Sequence, residues 1–488
     1  MKVLLVGMDG AHLDAFKRGW TPFTESLIKS KKQLNIKNDL LSRGWLEIAT
    51  GSHAKNTKAM YDRPNADGTL NWTSKFSIND IPDYGTSVKP IWQVLNDRGY
   101  SVGIMNLPTT FPAPEVNGFF VSGGGGGAPV AEKVSESLCF PKDITKQLRN
   151  DGYIVDDRMY QLVVEKKLTT PSDIFERLAF KNKKRTESFI KLDRTYKVDF
   201  GFIVYKTSSV LAETILHTEW TRQKNPHNSP DCQLEEAIKK YYENFDREIF
   251  HLSKSFPECE IVFVSDHGTF ERNFSVNPNI FLQSIGYQKI EARKSFVKNL
   301  VIKLKEVIPF TIKAYLKKTS VMKAKNLGQT SFNNDHTLAF CKTQGDWSHG
   351  IYINDSERFG GPVSQEDIPG LVAEIVNAFN ANPEVTQHGL FAYSSWDKGD
   401  SKPNHFPDIV IDVPNGYLTI DSCSEFIGEF SPPKVKSSLA SIMKGDILAL
   451  KSHSPIAIAS FSLVGTKDYS VDQGDLTAVY ELILAQFD

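Results

Sequence analysis

The chain has 488 residues, 40% hydrophobic and 24% charged, with a formal net charge of -1. These are ordinary values for a soluble globular protein, and the near-zero charge gives no global pull toward nucleic acid or a membrane surface. Its five cysteines, Cys139, Cys232, Cys259, Cys341 and Cys423, are scattered and lack C-x-x-C spacing, which argues against a disulfide framework and against a cysteine zinc site.

A domain usually takes roughly 100–200 residues, so one large α/β domain with insertions, or two lobes, is expected. The opening MKVLLVGMDGAHLD has one lysine and a short apolar run that meets Asp9 and Asp14 at once. It reads as a first core strand and not as a signal peptide, which needs a longer apolar core and a small-residue cleavage site. No run of about 18 apolar residues exists, so no transmembrane helix is expected and the expected compartment is the cytoplasm.

Five apolar runs read as buried parallel strands: Val3–Val6, Ser101–Met105, Phe200–Tyr205, Ile261–Val264 and Ile409–Ile411. Helical patterns lie between them. KPIWQVLNDRG precedes SVGIM, and LEEAIKKYYENFDREIFHLSKSF precedes IVFV. Strand alternating with helix predicts an α/β fold with a mostly parallel central sheet flanked by helices. Residues 129–197 are charged and helix-rich, and read as a helical insertion or lid over the sheet. Residues 1–128, 198–290 and 331–488 then form the core, with 291–330 as a second, basic helical insertion. The Gly123–Gly127 run reads as a flexible junction; it lacks the G-K-[ST] ending of a phosphate loop. The NPHNSPD stretch near His227 is a loop, and no internal repeat is visible.

Sites in parallel sheets form at the carboxyl ends of strands. Asp9 directly follows the first strand, and Asp266 and His267 directly follow IVFV. Adjacent Asp and His offer a hard oxygen and a borderline imidazole to one cation, a mixture zinc favours. An isolated pair of this kind is more often a capping aspartate and a loop histidine, so its company decides. Glu213 and His217 stand four apart, on one face if helical, where both could bind one ion. The plain alternative is a solvated helix face. His453, before an apolar run, would be structural unless the other ligands need a partner. Ser42, Thr50 and Ser52 are candidate nucleophiles, each weak unless a base or a metal activates it. Two metal ions about 3.5–4 Å apart would clamp an in-line phosphoryl displacement.

The motifs occur in a recognisable order. They are Asp9-Gly10, the W-x-x-x-x-T-G run from Trp45 to Gly51, the stretch IWQVLNDRGYSVGIMNLPTTFPAPEVNGFFVSG, and His217-x-x-Trp220. VFVSDHG, Gly350–Asn354 and Phe406–Val413 follow. This set resembles the type I phosphodiesterase and nucleotide pyrophosphatase family of the alkaline phosphatase superfamily. The resemblance implies an alkaline-phosphatase-like core and a hydrolase that cleaves a phosphodiester or pyrophosphate bond through a covalent phospho-serine. It implies one metal held by Asp9, Asp266, His267 and the nucleophile's oxygen. A second would be held by Glu213, His217 and His453. Zinc is the family's usual ion, with manganese the other candidate, and the implied substrate is a small nucleotide, nucleotide-sugar or other phosphoester.

Three departures stand out. Glu213 occupies a position where the family uses Asp. Counting back from Trp45 puts the family's Ser/Thr at Leu41, so Ser42 serves only if one residue is deleted. Asn56 stands where the family often has His, and the neighbourhood of its phosphoryl-binding Asn holds Asp62 and Arg63. Arg63 could clamp a phosphate as a two-pronged donor, or simply pair with Asp62. A sulfatase is disfavoured, because Ser42-Arg43-Gly44-Trp45 does not fit the C/S-x-P-x-R signature. The alternatives are a phosphomonoesterase or phosphoryl transferase on the same fold, or an inactive binding scaffold.

The segment Arg293–Lys325 carries ten Lys or Arg and one acid, Glu306, interleaved with apolar residues at near-helical spacing. It could lie on an anionic membrane as a basic amphipathic helix. A stripe at this spacing more usually packs on its own domain.

Overall fold

All six residues of the first strand, Val3–Met8, are buried, and the strand alternates its side chains between two apolar layers. Leu4, Val6 and Met8 enter one layer, and Val3 and Leu5 enter the other. That alternation is the period-2 geometry of a strand covered on both faces. The computed structural model describes residues 1–127, 134–156, 162–163, 165–206, 232–289, 332–342, 349–396, 405–420, 425–430, 449–460 and 474–488.

The chain divides into two units, and the first comprises Met1–Tyr61, Ser74–Glu271 and Val435–Asp488. Its strands include β1 (Val3–Met8), β2 (Lys32–Gln33), β3 (Val102–Leu107), β4 (Gly118–Ser122), β5 (Cys139–Phe140), β6 (Phe200–Tyr205), β7 (Glu260–Val264), β8 (Gly268–Glu271), β9 (Ala449–Ser452) and β10 (Ala457–Ala459). The main sheet runs β2-β10-β7-β1-β6-β3-β4-β5. Its five central strands, from β7 to β4, are parallel. Antiparallel partners close each side. β8 and β9 form a separate antiparallel pair.

Helices α1 (Gly44–Thr50), α2 (Ile91–Asp97), α3 (Pro171–Tyr196), α4 (Cys232–Ser255) and α5 (Thr477–Leu484) cover the sheet. α1, α2 and α5 supply Trp45, Leu46, Trp92, Leu95, Val479 and Ile483 to the layer that receives Val3 and Leu5. α3 and α4 supply Phe175, Leu178, Phe189, Tyr241, Phe245 and Leu252 to the other. α3 begins with a capping box from Thr170 to Asp173, has Pro171 in its first turn, and stops at the left-handed Lys197. The stretch expected to be an inserted lid thus provides one of the helices that pack on the main sheet.

Within the glycine run expected as a flexible junction, one position is closely packed. Gly126 has φ +62°, and a Cβ there would stand 2.0 Å from the Phe76 carbonyl oxygen. Position 126 is glycine because the backbone there needs both the left-handed conformation and the close approach.

The second unit comprises Asp62–Thr73 and Arg272–Lys434. In its four-stranded sheet, Gly350–Ile353 pairs with Ala339–Cys341 and Ile409–Asp412, and Phe391–Ser394 pairs with Ile409–Asp412. Every pairing is antiparallel. The run Ile409–Ile411, expected in a parallel sheet, therefore lies in this antiparallel one. A short apolar run signals burial on both faces but not strand direction. Arg358 is buried here between Asp355 and Asp408, 2.6 Å from each.

Among the described residues, Cys139, Cys259 and Cys341 form no disulfide. Among the described residues no helix is long and apolar enough to cross a membrane. The basic segment 293–325 lies outside the described residues.

Gly126→Ala should destabilise the first unit by about 3 kcal/mol or more, since it adds both backbone strain and a clash. Urea unfolding of the variant against wild type measures this; an unchanged midpoint would mean that the turn tolerates a side chain.

Candidate metal centre and its surroundings

β1 and β7 are adjacent and parallel, with Gly7 opposite Val264. Two residues beyond each of these lie Asp9 and Asp266, so the register alone sets the two carboxylates side by side. His267 joins them. Ligand atoms of the three lie within 4.8 Å of one another. Relative exposures are 8%, 2% and 2% for Asp9, Asp266 and His267, so water screens these charges poorly.

The imidazole's orientation follows from its neighbours. His267 Nδ1 lies 2.6 Å from the Gly268 carbonyl oxygen. A carbonyl only accepts, so Nδ1 carries the proton and Nε2 presents a lone pair. That lone pair faces Asp9 Oδ1 and Asp266 Oδ1, each 3.8 Å away. Burial, then the Asp9 charge, pushes the Asp266 carboxyl up to about 7. Burial, then the Lys451 charge, pulls the His267 imidazole down to about 3. Three acceptors thus converge in a buried crevice. Two carboxylate oxygens and one imidazole nitrogen are a donor set that fits a divalent cation.

Each carboxylate is also held from behind. Trp45 Nε1 donates to Asp9 Oδ2 at 3.0 Å, and the Tyr61 hydroxyl donates to Asp266 Oδ2 at 3.2 Å. Trp45 reaches Asp9 because α1 lies close over β1; a Cβ on Gly7 would stand 2.8 Å from the Trp45 ring. Lys451 Nζ lies 4.0 Å above the Tyr61 ring centre, and the Arg43 guanidinium lies 5.4 Å from it.

His453 sits between β9 and β10. Its Nδ1 is 2.7 Å from the Asn38 carbonyl oxygen, so it donates there and Nε2 again carries the lone pair. Asn38 Nδ2 in turn donates to the Asp266 carbonyl oxygen at 2.5 Å. Glu213 and His217, its expected co-ligands, lie outside the described residues.

Ser42 is fully buried and belongs to a different cluster. Its hydroxyl donates to Asp39 Oδ2 at 3.0 Å and lies 3.4 Å from His53 Nε2. It makes no hydrogen bond to Asp9, Asp266 or His267. The amides of Leu41 and Ser42 donate to Asp39 Oδ1 at 2.9 and 2.8 Å. His53 Nε2 is 2.8 Å from Asp39 Oδ2 and 3.6 Å from Glu47 Oε1. Thr50, another candidate nucleophile, hydrogen-bonds the Leu46 carbonyl oxygen within α1 at 2.6 Å. Ser42 is thus the candidate hydroxyl shown with a base beside it.

Arg63 belongs to the second unit, where Arg63–Pro64 pairs with Trp72–Thr73. Asp62, expected as its possible partner, receives a hydrogen bond from Lys342 Nζ at 2.7 Å.

Reading along the chain singled out Asp9, Asp266, His267 and Ser42 but missed Asp39, His53, Tyr61 and Lys451. Trp45 was visible only as a motif landmark. These partners are separated by as much as 390 residues, as Tyr61 and Lys451 are, or are set by local turn geometry, and no spacing rule connects them.

Burial, then the charge of Asp39, raises the Glu47 carboxyl from its ordinary 4.5 to about 8. A raised folded-state value means that this group contributes stability below its ordinary value and loses it as pH rises through about 8. Wild type should therefore lose urea resistance between pH 5 and 8, and Glu47→Gln should flatten that slope. Parallel slopes for the two proteins would show that Glu47 is ionised throughout.

Residues 3–326 match the family described as type I phosphodiesterase / nucleotide pyrophosphatase. No curated protein sequence matches the chain. Among solved structures, phosphonoacetate hydrolase from Sinorhizobium meliloti, in complex with phosphonoformate, is 12% identical with a TM-score of 0.52, covering 100% of this chain and 96% of that one. The alkaline phosphatase PafA is 12% identical with a TM-score of 0.48, covering 99% and 95%. Murine ectonucleotide pyrophosphatase / phosphodiesterase 5 is 12% identical with a TM-score of 0.42, covering 99% and 94%. At such identities the hydrolase likeness bears on fold alone, and it agrees with an alkaline-phosphatase-like α/β core. The family match spans well over half the chain, and the protein belongs to the type I phosphodiesterase / nucleotide pyrophosphatase family, as a phosphoester hydrolase.

Proposed function

We propose that the protein hydrolyses a phosphodiester or pyrophosphate bond in a small nucleotide-like phosphoester, using divalent cations. The observation that carries this is the convergence of Asp9 Oδ1, Asp266 Oδ1 and the His267 Nε2 lone pair in one buried crevice. Zinc or manganese held there would neutralise charge on the phosphoryl oxygens. His453, with its Nδ1 proton committed to Asn38, would serve a second cation through Nε2, and Glu213 and His217 are its proposed co-ligands.

Ser42 is the nucleophile in this reading. Its proton passes to Asp39 Oδ2 as Oγ bonds to phosphorus and the leaving alkoxide or phosphate departs. Water then attacks phosphorus and breaks the P–Oγ bond; one water proton stays on the product phosphate, the other passes through solvent to the departed leaving group, and the proton on Asp39 returns to Oγ. The full burial of Ser42 favours a second reading, in which water itself attacks and Ser42 is a structural hydroxyl.

His267→Ala should lose bound metal and turnover of bis(para-nitrophenyl) phosphate together, the latter by more than about 100-fold. Full metal content by atomic absorption in that variant would exclude His267 as a ligand. Ser42→Ala should keep its metal and lose about 1000-fold in turnover. Turnover near wild type would select attack by water.

A further inference from the structure

We propose that Trp45 and Tyr61 are positioning residues of the metal centre, each tying back one carboxylate oxygen so that the other alone faces the cation. The inference rests on the metal-dependent reading above and concerns how the site chooses its ion. Asp9 and Asp266 follow different strands, yet each has its Oδ2 held by a side-chain donor, while Asp266 Oδ1 also accepts the Gly10 amide at 3.4 Å. In Asp9, Oδ2 takes the Trp45 indole N–H at 3.0 Å and Oδ1 faces His267 Nε2 at 3.8 Å. In Asp266, Oδ2 takes the Tyr61 hydroxyl at 3.2 Å and Oδ1 faces the same Nε2 at 3.8 Å. Two chemically unlike donors thus perform one task.

A carboxylate that swung to present both oxygens would abandon its donor in a buried place. A buried donor left unpaired carries an uncompensated desolvation penalty. The centre is therefore held to one oxygen per carboxylate plus one nitrogen. Such a set suits a small ion with four to six ligands. It disfavours calcium, which gathers six to eight oxygens and often takes carboxylates in the two-oxygen mode. Both donors are anchored. Trp45 is packed against β1, and Tyr61 is flanked by Lys451 on its ring face at 4.0 Å. Both also belong to the short stretch that carries Ser42, so the ligands and that stretch are tied together.

The test is isothermal titration of the metal-stripped full chain with zinc and, separately, with calcium. Wild type, Tyr61→Phe and Trp45→Phe are compared, with circular dichroism and the apo melting temperature as controls on folding. Each variant should bind zinc about 10–100-fold more weakly while its calcium affinity holds or rises, so that zinc-over-calcium preference shrinks. Loss of packing alone would weaken both ions alike and would overturn the proposal, as would unchanged zinc affinity in a folded Tyr61→Phe. Trp45 fills core space, so if Trp45→Phe unfolds, Tyr61→Phe decides alone, because it removes one hydroxyl and no carbon. Wild type that binds no zinc would instead overturn the metal-dependent reading itself.

Discussion

The first unit is organised around a repulsion. Parallel pairing of β1 with β7 places Asp9 beside Asp266, with a neutral imidazole lone pair facing both. Buried like charges at this distance oppose folding unless something positive or protonated relieves them. The upward shift of Asp266 and the downward shift of His267 express that conflict. Neutral donors relieve part of it, through the Trp45 indole, the Tyr61 hydroxyl and the Gly10 amide at 3.4 Å. The remainder is an electrostatic demand that a bound cation would meet. Sites of this kind are where enzymes keep strained electrostatics, and a strand end is where a rigid sheet can impose it.

α1 transmits this arrangement to the other polar cluster. Trp45 and Glu47 are two residues apart, about 200° around the helix. One therefore faces Asp9 while the other faces His53 and Asp39. Burial first pulls the His53 imidazole down, but the hydrogen bond and charge of Asp39, then the charge of Glu47, outweigh it. The Asp39 carboxyl is correspondingly lowered, because His53 and the Ser42 donors overcome its own burial. A carboxylate that remains ionised next to a serine hydroxyl is a proton acceptor already in place. A seven-residue helix thus carries contacts to both clusters, and Gly7 admits its tryptophan against the sheet.

The second unit meets its buried charge differently. Arg358 is matched by Asp355 and Asp408, a closed set in which cation and carboxylates satisfy one another. Two carboxylates around an arginine need no ion. Two carboxylates around a neutral histidine leave a charge that a cation would offset. The contrast separates a structural charge cluster from one suited to chemistry, although both are buried and both are rich in aspartate.

The sequence by itself determined the parallel core and its polar strand ends. Val3–Met8, Val102–Leu107, Phe200–Tyr205 and Glu260–Val264 are legible because a strand covered on both faces must be apolar throughout, and Asp9, Asp266 and His267 stand out as the polar residues that end such runs. Strand direction was not legible for Ile409–Ile411, because burial on two faces looks the same in parallel and antiparallel sheets. The Gly123–Gly127 run looked flexible because composition records the missing side chains but not the neighbouring carbonyl that excludes them. Only the tertiary structure decided which oxygen of each aspartate faces inward, and only it placed Ser42 with Asp39 and His53. Those choices rest on the Trp45, Tyr61 and Asn38 hydrogen bonds, which join residues 36 to 228 positions apart and exist only once the strands and α1 have packed.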